Sequence, residues 1–212
     1  MPSVITEPVR PGAYVVSEDN GSRSREVAVI TGGVDLPAGT VLGQVTVGTT
    51  ATVAAQGTNT GGGSVGAVAV GAAQAGAYTL RMESATRFIV EDPGGVQVGQ
   101  GATGTPFTGG GLSFTVTVGS PAFAAGDSFV ITVATGSLKM RMVNPAATDG
   151  SQVAAAILYE ATLASAGDVA KTVSRRAMEA NGLVLTWPSG MNAAQQAAAI
   201  AQLGERGIIV RT

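Results

Sequence analysis

Short segments in the middle of the chain alternate between apolar and polar side chains, which is the period of a half-buried β-strand. Tyr78, Leu80 and Met82 alternate with polar neighbours, and Phe114 and Val116 repeat the pattern. Turn-forming residues separate the segments. The predicted strands of this region are 67–70, 77–82, 87–91, 112–118 and 128–133. Their number and close spacing favour a β-sandwich or barrel.

Apolar runs on both sides of this region predict further strands and one helix. Asn192 is a good N-cap for the helix, and Gln195 can complete a capping box. Ile200 and Leu203 belong to a modest apolar stripe along the same segment. The flanking strands are expected at 26–30, 41–45, 153–159, 171–174, 183–187 and 208–210.

The distribution of charge divides the chain into parts. No Asp, Glu, Lys or Arg lies between Asp35 and Arg81, and two runs of three glycines fall within the surrounding block. We therefore expect an all-β domain at 47–134, inserted into a discontinuous core formed by 26–46 and 135–212. The expected fold class is α+β, mostly β, with a β-rich core that carries one C-terminal helix and a sandwich-like or barrel-like insert.

Residues 1–25 look like an N-terminal arm, because three prolines oppose a helix there. The arm has too many apolar side chains for a purely solvated tail. Two interpretations stay open: an edge strand on the chain's own domain, or a strand that adds to a partner's sheet. The candidate contact residues of the arm are Val4, Ile5, Val9, Tyr14 and Val15.

Composition excludes several kinds of chemistry. The 212 residues contain no Cys and no His, which excludes disulfides, thiol nucleophiles and histidine acid–base catalysis. A net charge of -2 without a basic run argues against nucleic-acid binding. No apolar run approaches the ~20 residues of a membrane span, and the sequence opens without a signal peptide, so synthesis in the cytoplasm is expected. We expect no cofactor and no metal.

Aromatic residues make up only 4% of the chain although hydrophobic residues make up 45%. The core is therefore expected to consist largely of Ala and Val, which bury little area per side chain. Association between subunits would stabilise such a core. Trp187 and Arg176 are the candidate anchors of the core or of a trimer interface.

The motifs that could carry chemistry favour plain structural roles. The run 99–104 has the glycine spacing of a dinucleotide-binding loop, but Pro106 and three more glycines follow, so no helix can begin there to bind a pyrophosphate. It is interpreted as a loop. Glu91 and Asp92 beside Asp127 suggest calcium only weakly, and the two acids that head the Pro-Gly turn, Glu91 and Asp92, are interpreted as solvated turn formers. Because no Ser has a Lys base at a recognisable spacing, no catalytic residues are expected and the protein is not expected to be an enzyme.

Several segments outside the neutral block together resemble the head decoration proteins of tailed bacteriophages, a lambda-like capsid-stabilising family. The resemblance covers about 22–46 and 135–212 and depends on the order and spacing of the segments. The segments are 24–27, 38–46, 135–136, 144–151, 156–161, 176–179 and 203–210. The block between them resembles a β-module found inserted in phage structural proteins, at 75–80, 90–95 and 126–131.

The resemblance implies a small α+β core that forms homotrimers on the outer surface of the virion capsid. It implies that the trimer binds the major capsid protein and cements the expanded shell, and that the N-terminal arm adds a strand to a capsid-protein sheet. Two other interpretations remain. One is a tail-associated or adhesin-type module that binds host-surface glycan through the inserted domain, and the other is an unrecognised hydrolase. Exposed aromatic residues would support glycan binding, and the candidates are Tyr78, Phe88, Phe107, Phe114, Phe123 and Phe129.

Overall fold

The computed structural model describes residues 9–163, 165 and 167–212. The chain separates into two compact units. One, called here the split unit, contains the residues up to Val45 and those from Lys139 onward. The other, the middle unit, is Thr46–Leu138. The expected boundary between 134 and 135 falls inside a strand that ends at Thr135.

The described residues form seventeen strands and two α-helices. In chain order the strands are β1 Val15–Glu18, β2 Arg25–Ile30, β3 Val41–Gln44, β4 Val47–Ala55, β5 Ser64–Val65, β6 Ala69–Val70, β7 Gly76–Met82, β8 Arg87–Glu91, β9 Gln97–Ala102, β10 Pro106–Gly109, β11 Leu112–Thr117, β12 Ser128–Thr135, β13 Met140–Met142, β14 Ala154–Leu158, β15 Val169–Ser174, β16 Met178–Asn181 and β17 Ile208–Arg211. The helices are α1 Gly21–Ser24 and α2 Ala193–Glu205, and a 3₁₀ turn spans Gly182–Val184.

A closed five-stranded barrel forms one half of the split unit, with the strand order β13-β2-β15-β14-β3. Ile30, Leu42 and Met140 are fully buried in its interior cluster. All five residues of β14 are buried, because one face packs into the barrel and the other packs beneath α2. The apolar run that predicted this strand is continuous for the same reason.

A three-stranded sheet, β1-β16-β17, and helix α2 form the rest of the split unit. The second buried cluster joins Tyr14 of the N-terminal segment to Ile157 of the barrel wall and Leu203 of α2. The helix begins as predicted. Asn192 accepts the N–H of Gln195 at 2.9 Å, and the Gln195 side chain accepts the N–H of Asn192 at 3.0 Å.

The middle unit consists of a five-stranded antiparallel sheet, β4-β12-β7-β8-β9, and a smaller sheet, β10-β11-β5, with β6 also paired to β11. Phe88, Phe107 and Phe114 meet in its core, with ring centroids 4.9 to 6.2 Å apart. Phe123 and Phe129 form an edge-to-face pair at 5.8 Å. Aromatic residues are few in the chain, and these five phenylalanines all lie in the core of the middle unit.

The expected fold class, α+β and mostly β, is confirmed. Of the predicted strands, 183–187 is wrong, since Gly182–Val184 is a 3₁₀ turn and only Thr186 forms a bridge, to Thr40. The prediction of a loop at 99–104 is also wrong in part. Gly99 and Gly101 lie in β9, where they leave room for the rings of Phe107 and Phe88.

Candidate functional site

The N-terminal segment is fixed to the split unit from Gly12 onward. The N–H of Gly12 donates to the carbonyl of Tyr159 at 2.8 Å, and the N–H of Val15 closes a turn onto Gly12 at 2.9 Å. Gly12 has a φ of +68°, and a Cβ atom there would lie 2.7 Å from the Tyr159 ring. Glycine therefore permits both the turn and the close approach. The result is a defined root for the arm.

Tyr14 is fully buried in the core of its own unit. Its hydroxyl lies 2.7 Å from Oγ of Ser174, to which it donates, and 3.4 Å from the carbonyl of Ile157. Burial raises the pKa of Tyr14 well above its ordinary value, against the opposing effect of the hydrogen bond to Ser174. The sequence analysis assigned Tyr14 to the contact surface of the arm. The structure corrects this placement, because a fully buried side chain has no surface to offer.

Strand β1 pairs with β16 and forms one edge of the three-stranded sheet. For residues 15–18, the structure thus agrees with an edge strand on the chain's own domain. Val15 is half-buried and packs against the core. Val9 is half-buried and lies outside any strand. Val4 and Ile5 lie outside the described residues, and a contact of the arm with a partner stays a prediction.

A charged cluster fixes the chain between β1 and β2. Arg25 and Glu18 form an ion pair, with Nε of Arg25 3.0 Å from Oε2 of Glu18. Oγ of Ser24 donates to the same carboxylate at 2.8 Å, and the Arg25 guanidinium stacks 3.9 Å above the Tyr159 ring centroid. Burial acts to raise the pKa of Glu18, but the hydrogen bonds from Arg25 and Ser24 lower it overall. The cluster connects β1 to Tyr159, whose carbonyl also accepts the N–H of Gly12.

The two candidate anchors have different surroundings. Arg176 is exposed, and together with Arg175 it forms ion pairs with Glu26 in the same unit. Trp187 is partly buried against the cluster of Tyr14 and Leu203. The structure therefore gives both side chains partners within their own unit, and a role for either at a trimer interface stays a prediction.

Asp127 is the one acidic residue of the middle unit that is buried, with 4% of its surface exposed. Its carboxylate accepts the backbone N–H groups of Ala124 at 2.9 Å, Thr60 at 2.8 Å and Gly61 at 2.9 Å. These bonds lower its pKa. A carboxylate that accepts several N–H bonds closes the loop 56–63 onto the start of β12, a role that spacing in the sequence did not indicate.

The six aromatic residues that could have formed a glycan platform are all buried, none with more than 4% exposure. They fill the core of the middle unit. The glycan-binding interpretation therefore lacks the exposed aromatic surface that would favour it.

Within the part of the chain that the structure describes, no group of three or more acidic residues could hold a metal ion. None of the described helices is long and apolar enough to cross a membrane.

Solved structures of flagellar proteins have limited similarity to the chain. They are FlgL from Xanthomonas campestris (24% identity, 45% of this chain and 33% of that one), FlgL from Legionella pneumophila (21%, 46% and 37%) and FlgK from Burkholderia pseudomallei (26%, 59% and 23%). The chain spans less than two fifths of the length of each. Each similarity has a TM-score of 0.35, which supports no conclusion about function. No curated protein matches the sequence.

The sequence also matches the family described as bacteriophage lambda head decoration protein D, over residues 4–94 and 113–208. This match is wider than the resemblance at 22–46 and 135–212, because it includes the arm from residue 4 and much of the middle unit. It extends over most of the chain. The chain therefore belongs to the family of bacteriophage head decoration proteins typified by protein D of phage lambda.

Proposed function

We propose that the protein binds the outer surface of the assembled head as a homotrimer and stabilises the shell, with the major capsid protein as its partner. Membership of the head decoration family makes it a bacteriophage capsid protein. The family match, which extends from residue 4 to residue 208, is the observation that carries the proposal. The proposed role is structural and requires no catalytic group.

The arm root supports a mechanism in which several arms act together. Gly12 and Tyr14 fix the chain to the split unit, so residues 1–8 are tethered at a defined point. Val4 and Ile5 are apolar residues of the segment 1–8. A trimer would carry three such segments, and three modest contacts on one body act at high effective concentration.

The composition of the core of the split unit supports the proposal of a trimer. Many of its fully buried residues are small, and Ala38, Ala154, Ala156 and Ala180 have no exposed surface. Small side chains bury little apolar area each, so the unit gains less from its own core than a Leu-rich or Phe-rich one would. Burial against other copies would add to its stability.

The middle unit is proposed to be unnecessary for binding to the shell. The two residues that flank the middle unit lie close together, because the N–H of Val45 donates to the carbonyl of Lys139 at 2.9 Å. Inserted domains commonly have ends that lie close together, and a short linker can then replace the whole inserted domain. A variant in which a short glycine–serine linker replaces 46–138 tests this part of the proposal separately.

The main experiment adds purified full-length protein to expanded shells that lack decoration. Sedimentation measures binding, and the temperature of shell disruption measures stabilisation. We expect both to increase, and we expect the linker variant to retain binding. A Val4→Ser, Ile5→Ser variant is expected to bind weakly, whereas the matched control Val96→Ser, Val118→Ser, with both changes at exposed valines of the middle unit, is expected to bind normally. Absence of binding by the full-length protein would overturn the proposal.

A further inference from the structure

Strands β2 and β15 carry an exposed apolar patch on the outside of the barrel. Val27 of β2 pairs with Thr172 of β15, and Val29 pairs with Ala170. Directly opposite residues of an antiparallel pair lie on the same face, and residues two positions apart on one strand share that face. Val27 is 72% exposed and Val29 is 40% exposed, so this face points away from the barrel interior. Val27, Val29, Ala170 and Thr172 are called here the outer patch.

The N-terminal segment covers the adjoining part of the same face. Ser174 lies two positions after Thr172 on β15, and its Oγ accepts the hydroxyl of Tyr14 at 2.7 Å. Tyr159 donates its N–H to the carbonyl of Thr172 at 3.1 Å, and its own carbonyl accepts the N–H of Gly12 at 2.8 Å. Between Tyr14 and Gly12 the chain therefore passes from Ser174 to the level of Thr172. Continued in the same direction, it leads onto the outer patch.

The segment that precedes Gly12 is long enough to cross the outer patch. Tyr159 directly follows β14, and β14, β15 and β2 are neighbours in the barrel. Neighbouring strands lie about 4.8 Å apart, which places Val27 about 10 Å from Tyr159. An extended chain advances roughly 3.3–3.6 Å per residue, so the seven residues from Gly12 back to Ile5 reach up to about 24 Å. Ile5 can therefore reach Val27 and Val29.

We propose that in the free protein Val4 and Ile5 lie against Val27 and Val29 of the same chain, so that the arm covers the outer patch. The contact removes apolar surface of all four side chains from water, which favours it. β2 and β15 pair with each other over six consecutive positions, so the outer patch offers side chains rather than unpaired backbone groups. An occupant with apolar side chains fits such a surface.

Two features favour the chain's own arm over other occupants of the outer patch. Pro2 and Pro8 lack the N–H that a strand in a sheet donates, a lack that does not matter for contact through side chains. Gly12 is fixed beside the outer patch, so the arm of the same chain meets it at a high effective concentration. Another molecule meets it only at its concentration in solution. A second copy or the shell would therefore have to displace the arm.

The contact regulates the binding that we propose for the arm, and this consequence rests on the proposed function. An arm held on the outer patch is unavailable to the shell. The apparent affinity for the shell is then the intrinsic affinity multiplied by the fraction of molecules whose arm is released. Substitutions that weaken the outer patch should therefore strengthen binding to the shell.

Disulfide formation tests the contact without shells. The chain has no Cys, so two introduced cysteines are its sole thiols. The full-length Thr6→Cys, Ala170→Cys variant keeps all four apolar side chains of the contact and should form a disulfide within one chain under mild oxidation. The matched control is Thr6→Cys, Ala198→Cys, because Ala198 is exposed on α2 of the same unit. The first variant should oxidise on the order of tenfold faster or more, since the contact raises the effective concentration of its thiols. Equal rates would overturn the proposal, and disulfides between two chains would overturn it in favour of a neighbouring copy.

Shell binding tests the consequence. Val27→Ser, Val29→Ser weakens the outer patch at two exposed positions, and Val96→Ser, Val118→Ser is again the matched control. Sedimentation with expanded shells should show at least about twofold tighter binding by the patch variant than by the wild type, the increase expected where half of the arms are held. The control should match the wild type. Equal binding by the patch variant would overturn the regulation, and weaker binding would overturn it and identify the outer patch as a shell contact. If the wild type does not bind shells, the proposed function fails, and the disulfide rates still decide whether the arm covers the outer patch.

Discussion

The hydroxyl of Tyr14 donates to Oγ of Ser174 across 2.7 Å, and both side chains are fully buried. The bond joins the N-terminal segment to β15 of the barrel, 160 residues later in the chain. It therefore fixes the point from which the arm begins. Tyr14, whose position in the sequence suggested an external contact, is a core residue that fixes the point where the arm begins.

Replacement of Tyr14 by Phe keeps the ring and removes this bond. We expect the split unit to lose about 1–2 kcal/mol of stability, because Ser174 is left without its buried partner. Trp187 is the sole tryptophan and lies in the split unit, so its fluorescence during urea unfolding reports this change. Tyr14→Phe combined with Ser174→Ala should cost less than the sum of the two single changes. Additive costs would show that the bond contributes nothing.

Asp127 makes the stability of the middle unit depend on pH. Backbone N–H bonds from Ala124, Thr60 and Gly61 lower its pKa in the folded state. The stabilisation is complete above the unfolded-state pKa of about 3.9 and is lost as the pH falls through the lower folded-state pKa. Hydrogen exchange of β12 amides between about pH 5 and pH 2 should show this loss in the wild type.

Asp127→Asn should lower the stability of the middle unit at neutral pH and flatten its dependence on acid. The matched control is Glu83→Gln, the same type of change at an exposed acid of the same unit. The control should leave the profile of β12 unchanged. An acid profile for Asp127→Asn that matches the wild type would contradict the assignment.

Gly101 permits close packing of the Phe88 ring against β9. A Cβ atom at Gly101 would lie 2.4 Å from that ring, which is fully buried beside Phe107 and Phe114. Gly101→Ala should therefore destabilise the middle unit by about 1–3 kcal/mol through overpacking. Gly57→Ala is the control, since a Cβ atom there meets nothing within 4 Å. Calorimetry should detect a lower unfolding temperature for Gly101→Ala alone.

The capping box at Asn192 stabilises the first turn of α2. Asn192→Ala removes the acceptor for the N–H of Gln195 and should cost about 1 kcal/mol. Asn192→Ser keeps an acceptor oxygen and should remain near wild type. Trp187 fluorescence during urea unfolding measures both variants. Equal losses in the two variants would show that the side-chain oxygen has no capping role.

Local pattern in the sequence determined much of the secondary structure. Period-two alternation identified β7 and β11, and a continuous apolar run identified β14, because these strands are buried on one face and on both faces respectively. Asn192 and Gln195 located the start of α2, because a cap depends on residues only three positions apart. The order of several segments also indicated the family.

The tertiary structure decided what depends on distant partners. β4 and β9 have weak local signals, since Thr, Ala, Gln and Gly become strands there by pairing with β12 and β8. Gly101 is explained by the Phe88 ring, and Asp127 by amides 66 and 67 residues away. Tyr14 is a core residue because its buried hydroxyl has hydrogen-bond acceptors in the Oγ of Ser174 and the carbonyl of Ile157. Sequence periodicity reports how a segment is buried, whereas these roles depend on contacts that form only when the chain folds.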